Sequence, residues 1–266
     1  MLLEGCLGAC LAPVRCVLSA AFLGPFGKGF RLVNMAVDKG HLITICGIDG
    51  SGKTVQSELL CLRAREAGWK VETIGFPRYG EGFFAEVVAR YLRGEFGQDP
   101  NQVSPYLAAL PFACDRWQAA PKLRGWLEAG ALVVCNRYVA ANLAHQGAKI
   151  ESPTERREFL RWVEELEYEV LGLPRADVNV WLDMPAEIAS KLISGKSERS
   201  YLRRARDIHE SNLPYLKATR EVYRELAERG ADWLTVECAS GGRALPPKEI
   251  AERVWSALTR ALDVVR

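Results

Sequence analysis

A C-x-x-C pair is the first thing this sequence lacks. Its eight cysteines stand at positions 6, 10, 16, 46, 61, 114, 135 and 238 of 266 residues. Zinc ligation and a disulfide framework find no support in that spacing, and a reducing cytosol is the simplest home. Also missing is a run of about 18 uncharged apolar residues, so no membrane-spanning helix is expected. Neither sign of charge is in excess: 35 Lys and Arg face 33 Asp and Glu, a formal net charge of +2. That balance argues against a general binder of nucleic-acid polymers or membrane surfaces and leaves local basic patches open. No repeat, low-complexity linker or second domain is visible. What remains is a chain 48% hydrophobic, long enough to bury a full core in one large domain.

One stretch reads differently from the rest. Residues 1–34 hold three of the cysteines, a single acid (Glu4), and an apolar run from Cys16 to Phe26 interrupted by Pro25. A signal peptide needs a basic segment before its apolar part, and Arg15 comes late for that. A transit peptide would be richer in Arg and Ser. Met35 then opens Met-Ala-Val-Asp-Lys-Gly-His just ahead of the first strand. A dispensable leader is the first expectation for 1–34 and an organellar targeting segment the second. The functional domain is expected over 35–266.

From Leu42 onward strand and helix patterns alternate. The strand candidates are Leu42–Cys46, Val71–Phe76, Leu132–Cys135, Val178–Leu182 and Trp233–Val236. Such alternation predicts an α/β fold with a largely parallel, buried sheet. The helix after the first strand is expected to turn Val55, Leu59 and Leu62 inward and to stop near Gly68. Another opens at Ser152-Pro153-Thr154-Glu155, a capping box with proline at the first helical position. It is expected to carry Phe159, Val163, Leu166 and Val170 inward, with Glu164, Glu165, Glu167 and Glu169 on a solvated face, and to end at Gly172-Leu173-Pro174.

Between the first strand and the first helix lies Gly47-Ile48-Asp49-Gly50-Ser51-Gly52-Lys53-Thr54, which fits G-x-x-x-x-G-K-[ST] in its required strand–loop–helix setting. Glycines let successive backbone N–H groups turn inward, and the helix dipole adds to them, so polyphosphate finds a cradle of donors. Lys53 is expected at the outer phosphates and the Thr54 hydroxyl on Mg²⁺. The architecture that follows is a three-layer P-loop fold with a five-stranded parallel sheet flanked by helices. GTPases, ATPases and small-molecule kinases all share this loop, so other residues must decide the chemistry.

Ligands of open α/β sheets gather beyond the carboxyl ends of the strands. Arg78, in Phe76-Pro77-Arg78-Tyr79, and Arg137, in Asn136-Arg137-Tyr138, both follow strand ends on the side of the loop. A guanidinium pairs bidentately with phosphate, so two of them point to a second anionic group, the plainer alternative being surface ion pairs. Phe112 and Arg116 stand at i, i+4 on one helix face, where an aromatic surface and a fixed donor fork suit a nucleobase; a core phenylalanine is the plainer alternative. The stretch 191–206 holds six basic residues against one acid and reads as a lid or a basic surface helix.

Together these residues closely resemble the thymidylate (dTMP) kinase family of nucleoside-monophosphate kinases, over roughly Leu42 to Cys238. The resemblance implies transfer of the γ-phosphoryl group of Mg-ATP to dTMP. Gly47, Asp49, Gly50, Ser51, Gly52, Lys53 and Thr54 would bind ATP, and Asp49 would also hydrogen-bond the acceptor sugar. Phe76 would line the acceptor site, and Arg78 and Arg137 would hold the acceptor phosphate. Phe112 would stack on thymine, with Arg116 and Asn142 reading its polar edge. His145 falls where the family often places a tyrosine that disfavours ribose; a hydrogen-bonded helix histidine is the alternative. Gly50 leaves the loop without the basic residue some members carry there, so lid arginines, Arg199 and Arg203 with Arg204 and Arg206 unranked beside them, would meet the moving phosphoryl group. Lys53 and Arg137 complete the catalytic set, and Thr54 with Asn136 the metal set. A homodimer is implied as well. The family pattern reads Asp-Arg-Tyr where this chain has Asn136-Arg137-Tyr138, and Val55 and Ala141 replace hydroxyl residues. Two alternatives follow: a nucleotide-binding relative with weak or lost turnover, and a kinase for another (deoxy)nucleotide.

Overall fold

The computed structural model describes residues 39–194 and 212–265. All lie within the compact unit 37–266, so residues 1–34 and most of the lid stretch 191–206 fall outside the described residues. The chain enters as β1 (His41–Cys46), turns through the glycine loop into α1 (Lys53–Glu66), and returns as β2 (Val71–Gly75). Then come α2 (Phe83–Leu92), the long α3 (Pro105–Glu128), β3 (Leu132–Asn136), α4 (Val139–Gly147) and α5 (Pro153–Glu164). After β4 (Val178–Asp183) follow α6 (Ala186–Ser194), α7 (Leu213–Arg229) and β5 (Trp233–Glu237). A small hairpin, β6 (Ala239–Ser240) with β7 (Arg243–Ala244), leads to α8 (Pro247–Val265).

Five strands form one parallel sheet in the order β2-β3-β1-β4-β5. All five expected strands are present, displaced by a residue at most at each end. β1 is central and buried on both faces, which is why it reads as a nearly unbroken apolar run. Because every strand runs the same way, the loops after β1, β2, β3 and β4 converge on one edge. The register aligns Ile45 of β1 with Asn136 of β3, and Gly75 of β2 with the same Asn136.

Two helices depart from the phases expected of them. In α1 it is Gln56, Leu60, Cys61 and Ala64 that are buried, while Val55 and Leu62 are exposed. The buried positions repeat at three- and four-residue steps from Lys53, so the phosphate loop, not the apolar residues, sets the helix phase. In α5, Ser152 caps Glu155 N and Phe159 and Val163 are buried as expected. Residues Glu165–Val170 then form a π-helical turn, closed by Leu171 N donating to Leu166 O (2.9 Å). That wider turn shifts the inward face: Val170 is 70% exposed and Glu167 is 0% exposed. Glu167 is therefore no part of a solvated acidic face.

Candidate active site

Gly47, Gly50 and Gly52 have φ of 137°, 82° and 92°, a backbone that side chains oppose. Space adds a second reason at two of them. A Cβ on Gly47 would lie 2.8 Å from the Leu182 carbonyl oxygen, and one on Gly50 would lie 2.4 Å from that of Ala189 in α6. The missing basic side chain at position 50 thus follows from α6 lying against the loop. Gly52 caps α1, whose first N–H groups open toward the loop. Lys53 Nζ donates to Ile48 O at 2.7 Å and stands 3.8 Å from Asp49 Oδ1. The Ser51 hydroxyl is buried and has no partner among the described residues, the state expected of a group that meets a ligand. Burial also pushes the Cys46 thiol, just ahead of the loop, far above its ordinary value, so it is no nucleophile.

Arg137 follows β3 with φ 68°, the one described non-glycine residue at positive φ. Such strain persists where the surroundings over-determine it, and here they do. Its backbone N donates to Ile45 O at 3.0 Å. One guanidinium nitrogen donates to Asp49, and Nη1 lies 2.9 Å from His145 Nε2. With Nε2 accepting, the neutral ring carries its proton on Nδ1, which faces Tyr215 Oη at 3.4 Å. The Tyr215 hydroxyl in turn donates to His145 O at 2.7 Å. His145, on α4, thus lies buried against Tyr215 of α7, gripping the arginine.

Arg78, beyond β2, is held by Asp115 of α3: backbone N and side-chain Nε each donate to its carboxylate at 2.9 Å. Asp115 is buried, so the arginine is aimed by a group that water does not screen. Phe76 is buried against Tyr138, their ring centres 5.9 Å apart. Phe112 is half-buried and meets Tyr91 of α2 edge-on at 6.1 Å. Arg116, one turn on, is enclosed and gives Nε and Nη2 to the two Glu167 oxygens at 2.5 and 2.6 Å. Asn142 Nδ2 donates to Glu167 Oε1 (2.8 Å) and Ala109 O (3.1 Å), while its Oδ1 is buried without a partner among the described residues. Lys149, just past α4, donates to Tyr91 Oη at 2.8 Å; burial pushes its amine down to about 7, against the opposing pull of Asp99.

Asn136 and Thr54 meet at the mouth of the loop, Nδ2 to Oγ1 at 3.3 Å. Among the described residues no group of three or more His, Cys, Asp or Glu side chains is placed to hold a metal ion. A hydroxyl and an amide form no metal cage, but they fit a hard cation that arrives already bound to phosphate oxygens and water. The structure thus gathers Gly47, Asp49, Gly50, Ser51, Gly52, Lys53, Thr54, Asn136, Arg137 and His145 around one loop. Phe112 and Arg116 lie on α3, Arg78 and Asn142 are bonded to it through Asp115 and Ala109 O, and Phe76 packs on Tyr138. Arg199, Arg203, Arg204 and Arg206 lie outside the described residues. Asp115 and Glu167 received no role from sequence reasoning; Asp115 stands between Phe112 and Arg116 in the sequence, but nothing local marks Glu167 as buried.

Glycine loop, central parallel strand and convergent arginines define a P-loop nucleotide kinase. The thymidylate kinase family profile matches residues 45–244. A thymidylate kinase of Mycobacterium tuberculosis (strain CDC 1551 / Oshkosh) is 37% identical over 197 residues, covering 73% of this chain and 90% of that protein. The human thymidylate kinase is 28% identical over 157 residues, covering 59% and 67%. In structure, the thymidylate kinase of Candida albicans superposes with a TM-score of 0.63 at 20% identity, over 84% of this chain and 92% of that one, a likeness of fold. This chain belongs to the thymidylate kinase family.

Proposed function

We propose that the chain transfers the γ-phosphoryl group of ATP to the phosphate of dTMP, giving dTDP and ADP. The observation that carries this reading is the pair Arg78 and Arg137, each fixed by a buried carboxylate beside the phosphate loop. A nucleoside acceptor has no phosphate for them to hold, whereas a monophosphate does. The attacking oxygen belongs to a phosphate monoester whose second pKa is about 6, so at neutral pH no general base is needed. Catalysis is then alignment and charge neutralisation. The loop N–H groups and Lys53 bind the donor, Arg78 and Arg137 hold the acceptor in line, and Asp49 links the loop to the acceptor side. Thr54 and Asn136 would hold Mg²⁺, which supplies charge neutralisation on the donor phosphates. Lid arginines, Arg199 and Arg203 foremost, are assigned to the transferred group; an arginine there is worth about 10³–10⁵ in rate.

Two further assignments belong to the same reading. The functional unit is a homodimer, supported by an exposed apolar stripe on α3, Leu107, Leu110 and Trp117, with Phe83 of α2 exposed as well. A reducing cytosol as its compartment is supported by Cys46, Cys61, Cys114, Cys135 and Cys238, all free thiols. An assay coupling ADP release to ATP, Mg²⁺ and a panel of acceptors tests the activity. Turnover highest with dTMP is expected. Background rates with dTMP, or a preference for a nucleoside, overturn the assignment.

A further inference from the structure

Glu167 is a buried carboxylate that touches the two side chains assigned to the base edge, Arg116 and Asn142. Both Asn142 Nδ2 hydrogens have acceptors, Glu167 Oε1 and Ala109 O, so the amide is turned with Oδ1 outward from them. That oxygen is buried and has no partner among the described residues. The same carboxylate takes Nε and Nη2 of Arg116, two of the five N–H donors of a guanidinium, and so fixes its plane. Phe112, Arg116 and Ala109 share one face of α3, at i, i+3 and i+7.

Resting on the proposed dTMP site, we infer that Glu167 is the residue that makes this site choose an imide pyrimidine over an aminopyrimidine. It sets a donor, Arg116, beside an acceptor, Asn142 Oδ1. Thymine offers the complement, the O4 acceptor beside the N3–H donor. Cytosine offers the reverse, an N4 amino donor beside the N3 acceptor, and leaves both protein groups unmatched. A free asparagine would rotate its amide by half a turn to suit either base. Here that rotation sets Oδ1 against the Glu167 and Ala109 oxygens. Unpaired buried groups are what give such sites their discrimination. Glu167 acts through Arg116 and Asn142 and touches no substrate; it is a positioning residue.

Calorimetric binding of dTMP and dCMP, alongside turnover of each, to wild type, Glu167→Gln and Glu167→Asp tests the inference. Glutamine places an N–H₂ where the carboxylate accepted, so the dTMP:dCMP preference should fall by about tenfold in Glu167→Gln. Aspartate keeps the acceptor character and should retain the preference even if both nucleotides bind more weakly. A purely structural role would weaken both nucleotides alike in Glu167→Gln, and an unchanged ratio overturns the inference. Should the glutamine variant fail to fold, wild type carries the test with N3-methyl-dTMP, which lacks the N3 proton. Binding weaker than dTMP by about a hundredfold or more is expected, and equal binding overturns the inference. Selective dTMP binding without turnover would count against the proposed function alone; a chain binding neither nucleotide overturns both.

Discussion

The residues that carry this site are held by partners that lie far away in sequence. Asp115 is 37 positions from Arg78 yet accepts from both its backbone and its side chain. Replacing it by asparagine removes the charge and one acceptor while keeping the shape. A hydrogen bond to a charged group is worth about 1.5–3 kcal/mol, so kcat/KM for dTMP should fall about 10–100-fold with the ATP KM unchanged. Steady-state kinetics in both substrates check this, and an equal loss for ATP would remove Arg78 from the acceptor side. Asn136 ends β3, next to the phosphate loop, and is bonded to Thr54. Asparagine brings no negative charge to a metal's hydration shell. Asn136→Asp should lower the Mg²⁺ concentration for half-maximal rate by up to about tenfold, read from a Mg²⁺ titration at saturating nucleotide.

At the scale of elements, what was legible in the sequence is whatever a local pattern decides. The five strands, the glycine loop and the cap at Ser152 each depend on neighbours within a few residues. Helix phase does not. The inward face of α1 is dictated by where Lys53 must begin, and that of α5 changes at a π turn that no apolar spacing announces. Val170 and Glu167 exchange environments for that reason, and the buried partner of Arg116 was hidden with them. Lys149 gives a measurable case of an element joint. It closes the turn after α4 onto Tyr91 of α2, and burial holds its pKa near 7 instead of 10.5. Between those values the unfolded chain binds a proton that the native chain does not, so native stability rises with pH across that window. Below about pH 7 the penalty is present in full. Lys149→Met carries no such charge and loses the hydrogen bonds to Tyr91 and Val103 at every pH. The Tm of the variant relative to wild type should therefore be highest near pH 7 and decline as pH approaches 10. A difference flat across that range would mean that the amine is not desolvated.

For the whole molecule, the decisive element is α3, because its two faces serve different ends. One bears Asp115 and Arg116, buried, with Phe112 partly covered beside them; the other bears Leu107, Leu110 and Trp117, exposed by 65%, 37% and 50%. Large apolar side chains aligned at i, i+3 and i+10 are costly to leave in water, and they lie along a 24-residue helix about 36 Å long. A stable interface takes about 800 Å² from each partner, and two such helices with the neighbouring Phe83 can supply a large part of it. Covering that face would also restrain the helix that carries the acceptor-side residues. The double substitution Leu107→Glu/Leu110→Glu places four like charges across a two-fold contact and should yield a monomer in sedimentation velocity, with circular dichroism unchanged. Its dTMP KM should rise severalfold while its ATP KM stays put, because the phosphate loop belongs to α1 and β1, away from the substituted face. A wild-type chain that sediments as a monomer at tens of micromolar would refute the dimer. A monomeric variant with unaltered dTMP KM would leave the dimer standing and sever it from acceptor binding.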